Sequence, residues 1–166
     1  MPNVRAECAP QTEKAAGVAD NKQFLRIGLL GVDYLLPNNT SYVIEKRETL
    51  EVNDAPGAFI AAWQTTTAGR TPVYSLDADL NPMPRHAWQR AVFLKSGAQS
   101  IGLIADELQL LPSGEVRVEP FTPLGPAPTT AGHLFGGAWV RAGHAPVLVL
   151  ELNALIAHLH QLGDTA

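Results

Sequence analysis

Short apolar runs recur along the chain, each closed by Gly, Pro or Asn/Asp, with few reactive side chains between them. Phe24-Leu25-Arg26-Ile27-Gly28-Leu29-Leu30 opens the series as a first strand. Gly31-Val32-Asp33 reads as its turn and Tyr34-Leu35-Leu36 as the antiparallel return, ended by Pro37. Residues 40–48 alternate loosely, with Tyr42 and Ile44 on one face and Ser41 and Val43 on the other. Residues 58–64 fit strand or short helix; the β-branched Thr65-Thr66-Thr67 that follow favour strand. Pro72 to Leu76 is a compact strand, and Asp77-Ala78-Asp79-Leu80 suggests a short helical turn with Asp77 as its cap.

Residues 90–94 and 100–105 read as a second hairpin around Ser96-Gly97-Ala98. Residues 107–111 and 115–119 read as two more strands joined at Pro112-Ser113-Gly114. The Pro-, Gly- and Thr-dense stretch 121–132 is a surface loop. Residues 136–140 and 146–150 make the last hairpin. From Glu151 the apolar positions Leu152, Leu155, Ile156 and Leu159 change to helical spacing, with Gly163 as the stop. Many short strands and one terminal helix define a mainly β chain built as small barrels or a sandwich.

With 166 residues there is room for one domain, or for two small barrels sharing a core. Residues 1–22 hold few large apolar groups and read as a flexible N-terminal tail, or a weak helix from Gln11 to Val18, preceding a folded unit from 23 to 162. A charged content of 17% leaves much uncharged surface. The net charge of −4 argues against nucleic acid, since the one tight basic pair, Lys46-Arg47, is flanked by Glu45 and Glu48. The single cysteine, Cys8, excludes an internal disulfide and a cysteine-based zinc site. With no leader pattern and no apolar segment of spanning length, the expected compartment is the cytoplasm. Asn38-Asn39-Thr40 and Asn39-Thr40-Ser41 then match the glycosylation pattern by chance.

Candidate chemistry is sparse. His158-x-His160 points to two sides of a helix and serves one ion poorly, so exposed residues at a helix end are the better account. Asp77-x-Asp79 lacks the further oxygen donors calcium needs. His86, His133 and His144 are scattered with no nucleophile in an elbow, and Gly136-Gly137 lacks a dinucleotide setting. No catalytic residue, cofactor or metal is expected. Of the three tryptophans, Trp88 and Trp139 read as core, and Trp63 as the aromatic available for a contact.

The ordered motifs resemble the CheW-like domain of bacterial chemosensory adaptors. Leu30-Gly31-Val32-Asp33-Tyr34-Leu35-Leu36-Pro37 is similar to that family's Gly turn and Tyr-x-Leu-Pro return strand. Pro72-Val73-Tyr74-Ser75-Leu76 is similar to its Pro-Val-x-x-Leu strand, and Gly102-Leu103-Ile104-Ala105-Asp106 to its Gly-Leu-x-x-Asp segment. Phe135-Gly136-Gly137, Val147-Leu148-Val149-Leu150 and the helix around Leu155 follow in family order. The resemblance runs from Phe24 to about Leu159. It implies two five-stranded SH3-like barrels around a shared apolar core, with a C-terminal helix. It implies a non-enzymatic scaffold linking the regulatory domain of a CheA-type histidine kinase to the cytoplasmic tip of a methyl-accepting chemoreceptor.

The chain departs from the family at its docking positions. Thr67 and Ala68 stand where the family has Arg-Gly, and Ala62 where it has Gly. The family's Val-x-Glu strand falls on Ser41-Tyr42-Val43, leaving its acidic residue missing. Gly69-Arg70 reads as a redrawn turn, with Arg70 either a displaced interface guanidinium or an ordinary exposed arginine. The resemblance thus points to Ser41, Val43, Ala62, Trp63, Thr67 and Arg70 as partner contacts. It suggests an adaptor diverged toward another chemosensory system, such as one controlling type IV pilus motility. The competing reading is a β-barrel module that binds a peptide, oligosaccharide or small ligand between its barrels.

Overall fold

The computed structural model describes residues 23–37 and 41–163. The tail at 1–22, Cys8 and the acceptor patterns at Asn38-Asn39-Thr40-Ser41 lie wholly or partly outside the described residues. Among the described residues twelve strands and one α-helix follow in order, with a single 3-10 turn at Arg47–Thr49: β1 (Phe24–Leu29), β2 (Val32–Pro37), β3 (Ser41–Lys46), β4 (Glu51–Val52), β5 (Ile60–Thr66), β6 (Gly69–Tyr74), β7 (Arg90–Ser96), β8 (Gln99–Ile104), β9 (Glu107–Leu111), β10 (Val118–Pro120), β11 (Phe135–Trp139), β12 (Val147–Leu150) and α1 (Leu152–Gly163).

The strands form two six-stranded sheets, β9-β1-β2-β12-β11-β10 and β3-β7-β8-β6-β5-β4. The expected pair of small barrels is present, and each sheet counts six strands with the short β4 and β10 included. The two orders correspond strand for strand after a circular permutation, β1 and β2 matching β7 and β8 while β9 to β12 match β3 to β6. Each sheet joins its halves by one parallel pair, β2 with β12 and β8 with β6, all other pairs being antiparallel. Each carries a bulge at one matching place, Phe135/Gly137 in β11 and Ile60/Ala62 in β5. The barrel of β3 to β8 is contiguous in sequence and is inserted between β2 and β9 of the other.

Period-2 alternation explains why the central strands read as unbroken apolar runs: both of their faces are buried. Phe24, Leu35, Val147 and Val149 fill the first barrel with Leu111 and Trp139. Val73, Ala91, Phe93 and Ile104 fill the second with Leu50, Ala61, Ala62 and Trp88. The alternate positions turn outward and meet: Leu25, Ile27, Leu29, Tyr34 and Leu36 from one sheet pack with Tyr74, Val92, Leu94, Ile101 and Leu103 from the other. Helix α1 covers this shared cluster with Leu155, Ile156 and Leu159. Each fully buried Leu or Ile contributes about 1.5–3 kcal/mol on area grounds, so this interface is the main source of stability.

Several expectations shift in detail. The first turn is the two-residue Leu30-Gly31, with φ of 49° and 85°, and Val32 and Asp33 already lie in β2 opposite Leu29 and Gly28. The strand expected at 115–119 shortens to β10 and pairs with β11 rather than β9. After the turn at Gly114 the chain crosses to the other edge of its barrel, which lets Val116 and Val118 pack on the barrel core. The expected helical turn at 77–80 is an Asx turn: Asp77 Oδ1 accepts from the N–H groups of Asp79 (2.8 Å) and Asn81 (2.9 Å).

Gly102 is required by packing. A Cβ there would stand 2.9 Å from both the Phe93 ring and Val73 Cγ2, at the parallel join of β8 and β6. Gly102→Ala is expected to lower the unfolding free energy by about 1–3 kcal/mol, read from denaturant midpoints. Ser75 is fully buried, and its hydroxyl has no hydrogen-bond partner among the described residues. Ser75→Ala is therefore expected to hold or raise the midpoint, by up to about 1 kcal/mol, and a clear loss would mean that the hydroxyl is bonded after all.

Candidate partner-binding surface

Pairing register decides which side chains share the outer face of the second barrel. Glu51 opposes Trp63, and Thr65 opposes Arg70. Alternation puts all four on one face, away from Ala62 and the barrel core. There they bond to one another. The Arg70 guanidinium lies 4.6 Å from the Trp63 ring centroid and donates to Glu51 Oε2 at 2.9 Å. The Thr65 hydroxyl donates to Glu51 Oε1 at 2.6 Å. The Thr65 hydrogen bond holds the Glu51 carboxyl below its ordinary range, helped by Arg70 and opposed by weaker desolvation. An aromatic face, a fixed guanidinium and a carboxylate thus stand pre-ordered at the surface, the composition that recognition sites favour.

The turn at the end of this face uses Thr67 and Ala68 at negative φ, and Gly69 takes the left-handed conformation at 135°. The positive φ of this turn falls on Gly69, so Thr67 and Ala68 are tolerated without strain. Arg70 is the second residue of β6, not a turn residue.

The six sequence candidates divide. Trp63 and Arg70 are brought together, with Thr67 exposed at the tip of the same hairpin. Ser41 and Val43 are exposed on β3, across the seam where the barrel closes. Ala62 is 0% exposed within the barrel core and leaves the contact set, because it presents no atom to a partner. β3 carries an acidic residue of its own, Glu45, two positions past Val43. Glu45 accepts from Thr49 (3.1 Å) and Gln64 (3.5 Å), bridging the seam between β3 and β5. Sequence reading missed Glu45, Glu51 and Thr65, whose positions follow only from strand register.

All three tryptophans carry an arginine on one face: Arg47 on Trp88 at 5.6 Å, Arg70 on Trp63, and Arg141 on Trp139 at 4.0 Å. Trp88 and Trp139 are buried, as their core reading requires, and Trp63 is half-buried. His158 corrects its expected exposure. It is half-buried, with Nε2 3.2 Å from the Leu80 carbonyl, and holds the Asx turn onto α1. His160 is exposed. Among the described residues no three His, Cys, Asp or Glu side chains group as a metal site.

The Gly-Leu-x-x-Asp segment ends in a junction between the barrels. Asp106 accepts from Arg85 (2.5 and 3.3 Å) and from the Leu30 backbone N–H (2.8 Å). It thereby ties the β1–β2 turn to the connection leading into β7. Arg85 is only 11% exposed. Desolvation pushes the Asp106 carboxyl up, but the hydrogen bonds from Arg85 and Leu30 and the guanidinium charge together hold it below its ordinary value.

No family model matches the chain, and no curated protein sequence matches it. A solved structure does: the crystal structure of the scaffolding protein TtCheW from Thermoanaerobacter tengcongensis. The two superpose with a TM-score of 0.56 at 19% identity, covering 81% of this chain and 92% of that one. The likeness establishes a CheW-like fold of two SH3-like barrels. Among the described residues no helix is long and apolar enough to cross a membrane.

The depressed Asp106 carboxyl makes the junction acid-sensitive. Its contribution is complete above the unfolded-state pKa and is lost as pH falls through the lower folded-state value. Asp106→Asn is expected to flatten the fall of thermal midpoint between neutral pH and about pH 3, while lowering the midpoint at neutral pH. Equal acid slopes for the two proteins would refute this role.

Proposed function

We propose that this protein is a non-enzymatic signalling scaffold that couples a chemoreceptor to a CheA-type histidine kinase, in a chemotaxis or type IV pilus motility system. The observation that carries the reading is the ordered Trp63–Arg70–Glu51–Thr65 face on a barrel pair of CheW-like fold. Its contacts are Ser41, Val43, Trp63, Thr67 and Arg70, joined by Glu45 and Glu51. One surface engages the kinase regulatory domain and another the receptor's cytoplasmic tip, a role that belongs in the cytoplasm. The mechanism is geometric. Holding both partners in one assembly lets a conformational bias in the receptor alter kinase activity, through differential binding alone.

The test is a binding titration with a CheA-type regulatory domain and a receptor tip from the same genome. Wild type is expected to bind at least one of them. Trp63→Ala and Arg70→Ala are each expected to weaken that binding by about tenfold or more with little change in melting, since both residues lie on an outer face. Failure of wild type to bind any such domain would overturn the reading.

A second reading, a binding module for a peptide, oligosaccharide or small ligand, draws on an apolar groove of about 430 Å³. Phe121, Leu124, Pro128 and Phe135 line it, and Leu124 is 96% exposed. A specific metabolite raising the melting midpoint, with no partner binding, would favour it.

A further inference from the structure

A cavity of about 470 Å³ opens on the second barrel between Arg47 and the chain leading into β7. Arg47, His86, Trp88, Gln89 and Arg90 line it, with Ala87, Ala105 and Asp106. Its size is that of small-molecule sites. Trp88 is buried beneath Arg47, whose guanidinium lies over the indole.

The charges in and beside this cavity are unbalanced. Arg90 has no carboxylate within ion-pair distance among the described residues. In the β3–β7 ladder it stands directly opposite Lys46, a like-charge pair that costs stability and that the fold does not need. Arg47 reaches only the largely exposed Asp54, at 3.9 Å, and its buried Nε has no acceptor. Asp106 is the one carboxylate lining the cavity, and Arg85 and the Leu30 N–H already occupy it. In a chain of net charge −4, two arginines and a histidine therefore line an open cavity whose single lining carboxylate is already engaged by Arg85 and Leu30, with the exposed Asp54 as the one counter-charge of Arg47 among the described residues.

We propose that this cavity is a binding site for a small doubly charged oxyanion of the phosphate class. Arg47 and Arg90 supply the charge, and His86 and the Gln89 amide supply further polar contacts. Guanidinium groups suit this role because their planar donors match tetrahedral oxyanions and never lose their charge. Trp88 contributes a rigid floor that fixes Arg47 and so limits the entropy lost on binding. The site is independent of the Trp63 face and stands whether or not the scaffold reading holds.

The experiment is an amide NMR titration of the full chain with inorganic phosphate against chloride, at constant ionic strength and pH. Saturable shifts confined to residues 46–49, 85–90 and 105–106 are expected. Arg90→Gln is expected to weaken the response by about tenfold or more while holding or raising the melting midpoint without phosphate, because Lys46 is relieved. Arg47→Gln, measured alongside in case the first variant misfolds, is expected to weaken it similarly. Arg117→Gln, which removes the same charge from an exposed site before β10, is expected to leave it unchanged. Shifts that scatter over the surface or do not saturate would overturn the proposal, as would an equal effect of Arg117→Gln and Arg90→Gln.

Discussion

Everything in this molecule depends on the apolar cluster between the two sheets. A small barrel closes on a thin core, and neither of these barrels holds many large side chains within it. Stability comes from strands that bury their outward faces as well as their inward ones. That demand sets the sequence: β1, β2, β7, β8, β12 and the end of β6 cannot alternate polar with apolar along their central residues, because neither face meets water there. It also sets where function can lie. With the inner strands committed to packing, only the outer strands, the turns and the barrel seams remain free to present polar groups.

The surface around Trp63 follows from that restriction. β4, β5 and the start of β6 lie toward the edge of their sheet, so their outward face is exposed. Register then brings an indole, a guanidinium, a carboxylate and a hydroxyl into one bonded set. Such a set is preorganised and loses little side-chain freedom on contact. Asp106 serves a different need. Twisted sheets packed face to face can slide, and a charge bound both to Leu30 in one barrel and to Arg85 in the other's connection resists that motion.

Much of the fold was legible because apolar runs and turn residues are local signals. The strands of both central hairpins, the Pro72 strand, the last hairpin and α1 lie close to where the pattern put them. What escaped depended on partners distant in sequence. The turn at Leu30-Gly31 needs Asp106 to hold the Leu30 N–H. β10 could not be told from a partner of β9 without knowing that the barrel closes at its other edge. Of the candidate site, Trp63 and Arg70 were visible from their chemistry, whereas Glu51 and Thr65 were not, since nothing local says which strand opposes which. Ala62 was misjudged for the same reason: the bulge in β5 turns both Ala61 and Ala62 to the core.

The insertion of one barrel within the other also dictates an order of assembly. The strands from Ser41 to Ile104 contain every partner their sheet requires, whereas β1 and β2 must wait for β9 and β12, which the ribosome delivers last. Folding of the inner unit replaces a long floppy loop between β2 and β9 by a rigid spacer, shrinking the entropic toll of joining β1 to β9. Until then the opening hairpin exposes Leu25, Ile27 and Leu36 with nothing to cover them, which makes the nascent chain's first strands its point of greatest exposure to aggregation.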